Sequence, residues 1–456
     1  MLKMARRCAP LLFFALLVAG QSQAQDQPVP PKSETATQIK AEAATQPAPA
    51  ASPSAAPATP VVEPQAEPIR TVQIIAPGKP KGSLVIIGGG LRGENAPVWE
   101  RIVELAGGKG AKIAVFGSAS SNPERSARID VERLKFYGAD AFAVPIAVRL
   151  KGTDYRAAAS DPALAEAVRT AGGAYFVGGD QARITQALRK PDGTSTPVLD
   201  ALWDMYQRGG VIAGTSAGAA MMSKTMFYNV SSVLGTLKRG VADGMEMAPG
   251  LGFIGDDVFV DQHLLVRGRF ARMLPVMLAK GYKLGLGIDE NTAMIVQPNR
   301  DVEVLGYKGA LLLDLGAATS NPGDFNVSNA RISYLDNGDR YNLNTGVFTP
   351  SRDKANGKFD PAKPYYKGPL FNAEILGHTA IVELMTKLID SDQQDAIGIA
   401  FGSPQDLQPE LGFEFRLTRV PESVGYASAV SDAYGVYQLR LDVRPIKIQQ
   451  PFYQYK

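Results

Sequence analysis

Cysteine and histidine are almost absent from this 456-residue chain. The one cysteine is Cys8, and the two histidines are His263 and His378. Disulfide frameworks need cysteine pairs, and zinc or iron–sulfur sites need clustered thiolates or imidazoles, so the composition excludes all three, along with a thiol nucleophile in the mature part. No metal and no cofactor is expected. An excess of one charge is missing as well. The net charge is +3, and Lys3, Arg6 and Arg7 supply it ahead of residue 25, where no acid stands, leaving 3 − 3 = 0. A neutral chain lacks the basic surplus that holds nucleic acid or an anionic membrane surface. Beyond the first 24 residues no stretch is apolar for the ~20 residues of a transmembrane helix, so no stable membrane anchor is expected.

Residues 1–24 read as a signal peptide. Lys3, Arg6 and Arg7 precede a short apolar run, Leu11 to Gly20, and Ser22-Gln23-Ala24 sets small residues at a cleavage site. A secreted or periplasmic protein is expected, and Cys8 leaves with the leader. Residues 25–70 hold 10 prolines and 11 alanines in 46 positions and no aromatic residue. Such a segment buries too little apolar surface to offset its ordering entropy and reads as a disordered linker.

From Val72 apolar runs alternate with amphipathic segments. Strands are expected at Ser83 to Ile87, Ile113 to Phe116, Ala141 to Pro145, Tyr175 to Val177 and Val211 to Ala213. Helices are expected between them, at Val98 to Ala106, Glu124 to Tyr137, Pro162 to Ala171 and Thr196 to Arg208. That alternation predicts an α/β domain over 71–320, a parallel sheet with helices on both faces and its site beyond the carboxyl ends of the strands. The texture changes near residue 320. In 321–456, Ala380 to Asp390 has a helical stripe, and Phe413, Phe415, Leu417 and Leu439, Leu441, Val443 alternate with polar residues as two half-buried antiparallel strands. This stretch reads as an appended C-terminal α+β module.

Gly214-Thr215-Ser216-Ala217-Gly218 fits G-x-S-x-G between a strand and good helix formers, the setting of a nucleophile elbow. Small neighbours let the chain wind tightly and project the hydroxyl, while the Ala217 N–H stays free to donate to an oxyanion. A serine needs a base. His263 ends the apolar strand Val258-Phe259-Val260, whereas His378 precedes a helix in the appended module and reads as structural or surface-exposed. The imidazole needs a carboxylate. Glu290 is preferred on strand alternation, with Asp289 turned away or capping the next turn, but spacing leaves Asp289, Asp243 and Asp261 open. Arg267, Arg269 and Arg272 follow His263 and suit an anionic substrate. Gln181 in Gly178-Gly179-Asp180-Gln181 sits at another strand end, where the Gly179 N–H can serve as a second oxyanion donor. Gly88-Gly89-Gly90 lacks nucleotide-loop spacing and reads as a turn.

These motifs, with Gly287-Ile288-Asp289-Glu290-Asn291-Thr292-Ala293, occur in this order in the cyanophycinase family, which residues 72–318 resemble. That family comprises serine peptidases related to aspartyl dipeptidase, on a flavodoxin-like fold similar to class I glutamine amidotransferases. The resemblance implies hydrolysis of cyanophycin, a polyaspartate with arginine amide-linked to each side chain, to β-aspartyl-arginine dipeptides. It implies Ser216 as nucleophile, His263 as base and Glu290 as its carboxylate. Gln181, Asp261, Gln262, Arg267, Arg269 and Arg272 would bind substrate, and the Gly179 and Ala217 amides would form the oxyanion hole. The family's Gly-Gly-Asn-Gln is Gly-Gly-Asp-Gln here, which adds a charge near the pocket. The leader, the linker and the stretch after 320 look like those of secreted members. Within the same family, short aspartyl or isoaspartyl peptides are the rival substrate. From another class, a non-catalytic periplasmic binder of acidic peptides has no use for a strained serine. A homodimer is left open.

Overall fold

The computed structural model describes residues 80–229, 232–451 and 456. The expected leader and linker lie outside the described residues. In chain order the first part runs β1 (Ser83–Ile87), α1 (Ala96–Leu105), β2 (Lys112–Phe116), α2 (Pro123–Phe136), β3 (Asp140–Val144), α3 (Tyr155–Ala159), α4 (Pro162–Arg169), β4 (Gly173–Phe176), α5 (Gln181–Leu188), α6 (Pro197–Arg208), β5 (Val211–Thr215) and α7 (Ala217–Ala220). Three helix starts share one device. Asn122, Asp161 and Thr196 each accept a backbone N–H of the first turn, and a proline follows at the first helical position. The side chain satisfies a donor that the helix leaves open, and proline needs none.

Strands β1 to β5 form the expected parallel sheet, in the order β1-β5-β4-β2-β3. Leu84 and Ile86 point to one face, under Ile184, Leu188, Leu199 and Leu202 of α5 and α6. Val85 and Ile87 point to the other, under Trp99, Ile102 and Leu134 of α1 and α2. Helices therefore cover both faces. The sheet is not wholly parallel, however. After a hairpin of β6 (Thr225–Phe227) and β7 (Met247–Pro249), with α8 (Val233–Arg239) between them, come β8 (Val258–Gln262), α9 (Phe270–Lys280), β9 (Leu284–Ile288), β10 (Thr292–Val296), β11 (Asp301–Gly306) and β12 (Ala310–Asp314). Strand β10 runs antiparallel beside β1, and β11 antiparallel beside β10. The short connection from β10 to β11 permits only an antiparallel return between those two strands.

Strands β8, β9 and β12 start a second sheet. It continues through β13 (Val327–Leu335), and β14 (Arg340–Asn342) and β15 (Phe348–Thr349) return to the first sheet. Then follow β16 (Leu370–Asn372), α10 (Ala380–Ile389), β17 (Asp395–Ala400), β18 (Leu411–Thr418), β19 (Val424–Ala427) and β20 (Tyr434–Lys447). The second sheet reads β16-β17-β18-β20-β13-β12-β9-β8, with β19 on β20. The strands read at Phe413 and Leu439 are β18 and β20, paired antiparallel. Residues after 320 thus share a sheet and a core with those before it: Leu311 and Leu313 of β12 lie with Phe415, Leu439 and Leu384. Among the described residues no helix is long and apolar enough to cross a membrane.

Candidate active site

Strand β5 is buried from Val211 to Gly214 and delivers Ser216 to the carboxyl end of the parallel sheet. Ser216 has φ 53° and ψ −108°, a conformation costly for any residue with a Cβ, and α7 starts immediately after it. The turn closes because Gly214 and Gly218 touch. A Cβ at Gly214 would lie 2.3 Å from the Gly218 carbonyl oxygen. The Ser216 N–H is held by the Ile87 carbonyl at 3.0 Å, so the end of β1 braces the turn.

The same end of β1 braces the histidine. Beyond β8, the His263 N–H donates to the Gly88 carbonyl at 2.8 Å, with His263 at φ 51°. The imidazole packs against Gly89, where a Cβ would sit 2.2 Å from its Cε1. Gly88-Gly89-Gly90 is thus a turn, as read, and also the bed of the ring. Ser216 Oγ is 2.8 Å from His263 Nε2, and His263 Nδ1 is 2.7 Å from Glu290 Oε1. The hydrogen bond to the carboxylate fixes the proton on Nδ1 and leaves Nε2 to accept from the hydroxyl.

The other carboxylates are engaged elsewhere. Asp289 is fully buried and its Oδ1 accepts the Leu265 and Val266 N–H groups, capping the turn after His263. Asp243 pairs with Lys280 on the surface. Asp261 is 1% exposed and binds Arg272 through both oxygens, each at 2.7 Å. It is not among the residues lining the cleft beside Ser216, and its carboxylate faces Arg272 of α9.

Beside Ser216 opens a cleft of about 280 Å³. Gly179, Gln181, Gln262, Arg267, Arg269 and Arg272 all line it, which brings the remaining expected residues together. The Cβ position of Gly178 is 3.2 Å from Ser216 Cβ, so the Gly178-Gly179 turn abuts the serine. Among the described residues the Gly179 and Ala217 N–H groups have no acceptor. Gln181 Nε2 donates to the Phe227 carbonyl at 2.6 Å. Arg269 donates to the Gln262 carbonyl and Oε1, both at 2.9 Å. Arg272 stacks on the Phe227 ring at 4.0 Å. Arg267 is exposed and has no ion pair among the described residues. Phe227 and Tyr228, which also line the cleft, were not expected: they lie on and after a three-residue strand with no motif around it. His378 is exposed in the turn before α10.

Charge and burial tune the groups. Burial, helped by the charges of Arg267 and Arg269, pushes the His263 imidazole below its ordinary range against the pull of Glu290. Burial works to raise Glu290, but the hydrogen bond from His263 and the charges of His263, Lys308 and Arg267 hold it below the usual carboxylate range. Burial pushes the Arg269 guanidinium down to about 10, offset by Asp261. At neutral pH this is a carboxylate, a neutral imidazole and a serine in line, beside a cationic cleft with two open N–H donors.

The chain matches the sequence profile of Peptidase family S51 over residues 84–304. It is similar to a cyanophycinase of Geminocystis herdmanii (strain PCC 6308), 32% identical over 276 residues, covering 58% of this chain and 95% of the relative. A cyanophycinase of Synechococcus elongatus is 31% identical over 276 residues, covering 58% of this chain and 80% of its own. Among solved structures, a peptidase from an acI-B1 actinobacterium overlays 51% of this chain and 91% of its own with a TM-score of 0.40 and 21% identity.

Proposed function

The chain belongs to peptidase family S51, and from that premise we propose that this serine peptidase hydrolyses cyanophycin to β-aspartyl-arginine dipeptides through an acyl-enzyme on Ser216. The observation that carries the reading is the line of hydrogen bonds from Ser216 through His263 to Glu290, opening on a cleft lined by three arginines. His263 takes the Ser216 proton as Oγ attacks a main-chain aspartyl carbonyl. The developing oxyanion is received by the Gly179 and Ala217 N–H groups, each such donor being worth roughly 10²–10³ in rate. The imidazolium protonates the leaving amine. A water then loses its proton to His263 and cleaves the ester, freeing the dipeptide and restoring Ser216.

The free charge of Arg267 and the fork of Arg269 suit substrate carboxylates, and the Gln181 and Gln262 side chains suit the polar branches. Asp261 acts at one remove, holding Arg272 in place. The small cleft also suits short aspartyl or isoaspartyl peptides, and relative turnover of these and of the polymer separates the two substrates. The leader-like residues 1–24 support export, which the amino-terminal sequence of the mature protein checks. The central test is digestion of purified cyanophycin by wild type and Ser216→Ala, with products identified by mass. Wild type is expected to release β-aspartyl-arginine and the variant none above background. Equal release by the variant would remove Ser216 as nucleophile.

A further inference from the structure

On the far side of the triad from the arginine-lined cleft lies a second cavity, of about 350 Å³. The loop after β1 contributes Arg92 and Glu94 to it, the crossing from β11 to β12 contributes Tyr307 and Lys308, and Glu290 forms its inner wall. Glu290 serves both spaces. Its Oε1 is held by His263, while Oε2 has no hydrogen-bond partner among the described residues and the side chain is 31% exposed.

The walls are fixed through one residue. Asn291 donates its N–H to the Gly89 carbonyl at 2.8 Å, and its Oδ1 accepts the Arg92 N–H at 3.0 Å. Its carbonyl accepts the Tyr307 N–H at 3.3 Å. Asn95, fully buried, donates to both Asn291 oxygens at 3.0 Å, and the Lys308 N–H is held by Thr292 Oγ1 at 2.8 Å. Both sides of the cavity are therefore tied to the segment that carries Glu290.

What the walls present is mixed in charge, with Lys308 already acting on the Glu290 carboxylate. Among the described residues Arg92, Glu94 and Lys308 have no ion-pair partner. Tyr307 is 66% exposed and stacks on no other ring among them. An anionic ligand would be opposed by Glu94, and a cationic one by Arg92 and Lys308. A ligand with both a guanidinium and a carboxylate satisfies them all: the guanidinium lies on the Tyr307 ring near Glu94, and the carboxylate meets Arg92 and Lys308. The β-aspartyl-arginine unit carries both groups.

We propose that this cavity is a second subsite, which holds a β-aspartyl-arginine unit of the polymer away from the bond being cut. The inference rests on the cyanophycin reading and adds to it a preference for length. The two triad hydrogen bonds, 2.8 and 2.7 Å, with a ring and a carboxylate between, set the cavity on the order of 10 Å from Ser216 Oγ, about three residues of extended chain. A two-unit fragment has both of its units engaged at the bond being cut, whereas a longer chain has a further unit to place in the cavity.

The test compares kcat/KM for insoluble cyanophycin with that for a purified two-unit fragment, in wild type and in the double variant Tyr307→Ala, Arg92→Gln. Both side chains are exposed, so the fold has no need of them. The polymer-to-fragment ratio is expected to fall on the order of tenfold in the variant. An unchanged ratio, whether both values hold or both fall together, overturns the subsite while leaving the cyanophycin reading intact. Wild type inactive on both substrates overturns that reading and the subsite with it.

Discussion

Burial and the guanidiniums of Arg267 and Arg269 hold the His263 imidazole below its ordinary range, so the ring is neutral and able to accept a proton near pH 7. The sign of the linkage follows from this depression. The unfolded chain binds a proton to His263 at a higher pH than the folded one does. The contribution to stability is therefore present above the ordinary histidine value near 6.5 and is lost as pH falls through the lower, folded value. Activity fails over the same acid range, because an imidazolium cannot take the Ser216 proton. Arg267→Gln removes one of the charges that disfavour the imidazolium. The acid limb of kcat/KM is then expected to move to higher pH than in wild type, with the polymer as substrate. A limb that stays in place would mean that Arg267 acts on substrate alone. At this scale Ser216 and His263 were legible because the motif and the scarcity of histidine left almost no choice. The third member was not, since alternation gives only the parity of a strand end. Its resolution required knowing that Asp289 turns inward to cap 265–266, and that Asp261 faces Arg272.

Arg267 and Arg269 stand on the turn between β8 and α9, and that turn touches a segment outside the matched family region. Gly268 has φ 58°, and a Cβ there would lie 2.3 Å from the Leu376 carbonyl oxygen, in the segment leading to α10. The turn that aims Arg267 and Arg269 is therefore seated directly on the C-terminal part of the chain. Gly268→Ala forces a left-handed alanine against a backbone oxygen, at a cost of about 1–3 kcal/mol. Relief by shifting the turn displaces both guanidiniums, while Ser216 and His263 are held by the Ile87 and Gly88 carbonyls and stay in line with Glu290. KM is expected to rise severalfold with kcat changed less, alongside a lower melting temperature. A lower melting temperature with unchanged KM would separate the contact from substrate binding. No sequence pattern announces such a contact, because it joins a glycine to a backbone oxygen more than a hundred residues on. The parallel strands were legible since apolar runs alternate with amphipathic helices. Strands such as β10, buried at all five positions, carry no alternation and give only a run of apolar residues. Helix α5 escaped because it is short and follows a glycine turn, although Asp180 caps its first turn by accepting the Ala182 N–H.

Across the whole molecule, the compositional break near residue 320 does not coincide with a break in packing. Strand β12 pairs with β9 on one side and with β13 on the other, where Ala310 to Asp314 run against Leu335 to Arg331. Without β13, β12 would expose a row of unpaired backbone groups. The core is shared too. Phe270 at the start of α9 meets Phe415 of β18 with ring centroids 5.7 Å apart, and Leu264 next to His263 belongs to the same cluster as Leu439 and Leu441. The Geminocystis relative is matched over 95% of its length by 58% of this chain, so a large part of this protein lies outside the aligned region. If that part were an independent module, its unfolding would be separable from that of the peptidase. Joined through a strand edge and a common core, the two parts are expected to unfold together. Calorimetry of the protein should then show one transition for the folded part, and loss of cyanophycin hydrolysis should follow the same temperature curve. Two transitions, with hydrolysis surviving the first, would make the extension a separate unit and would sever the link between Leu376 and the arginine turn.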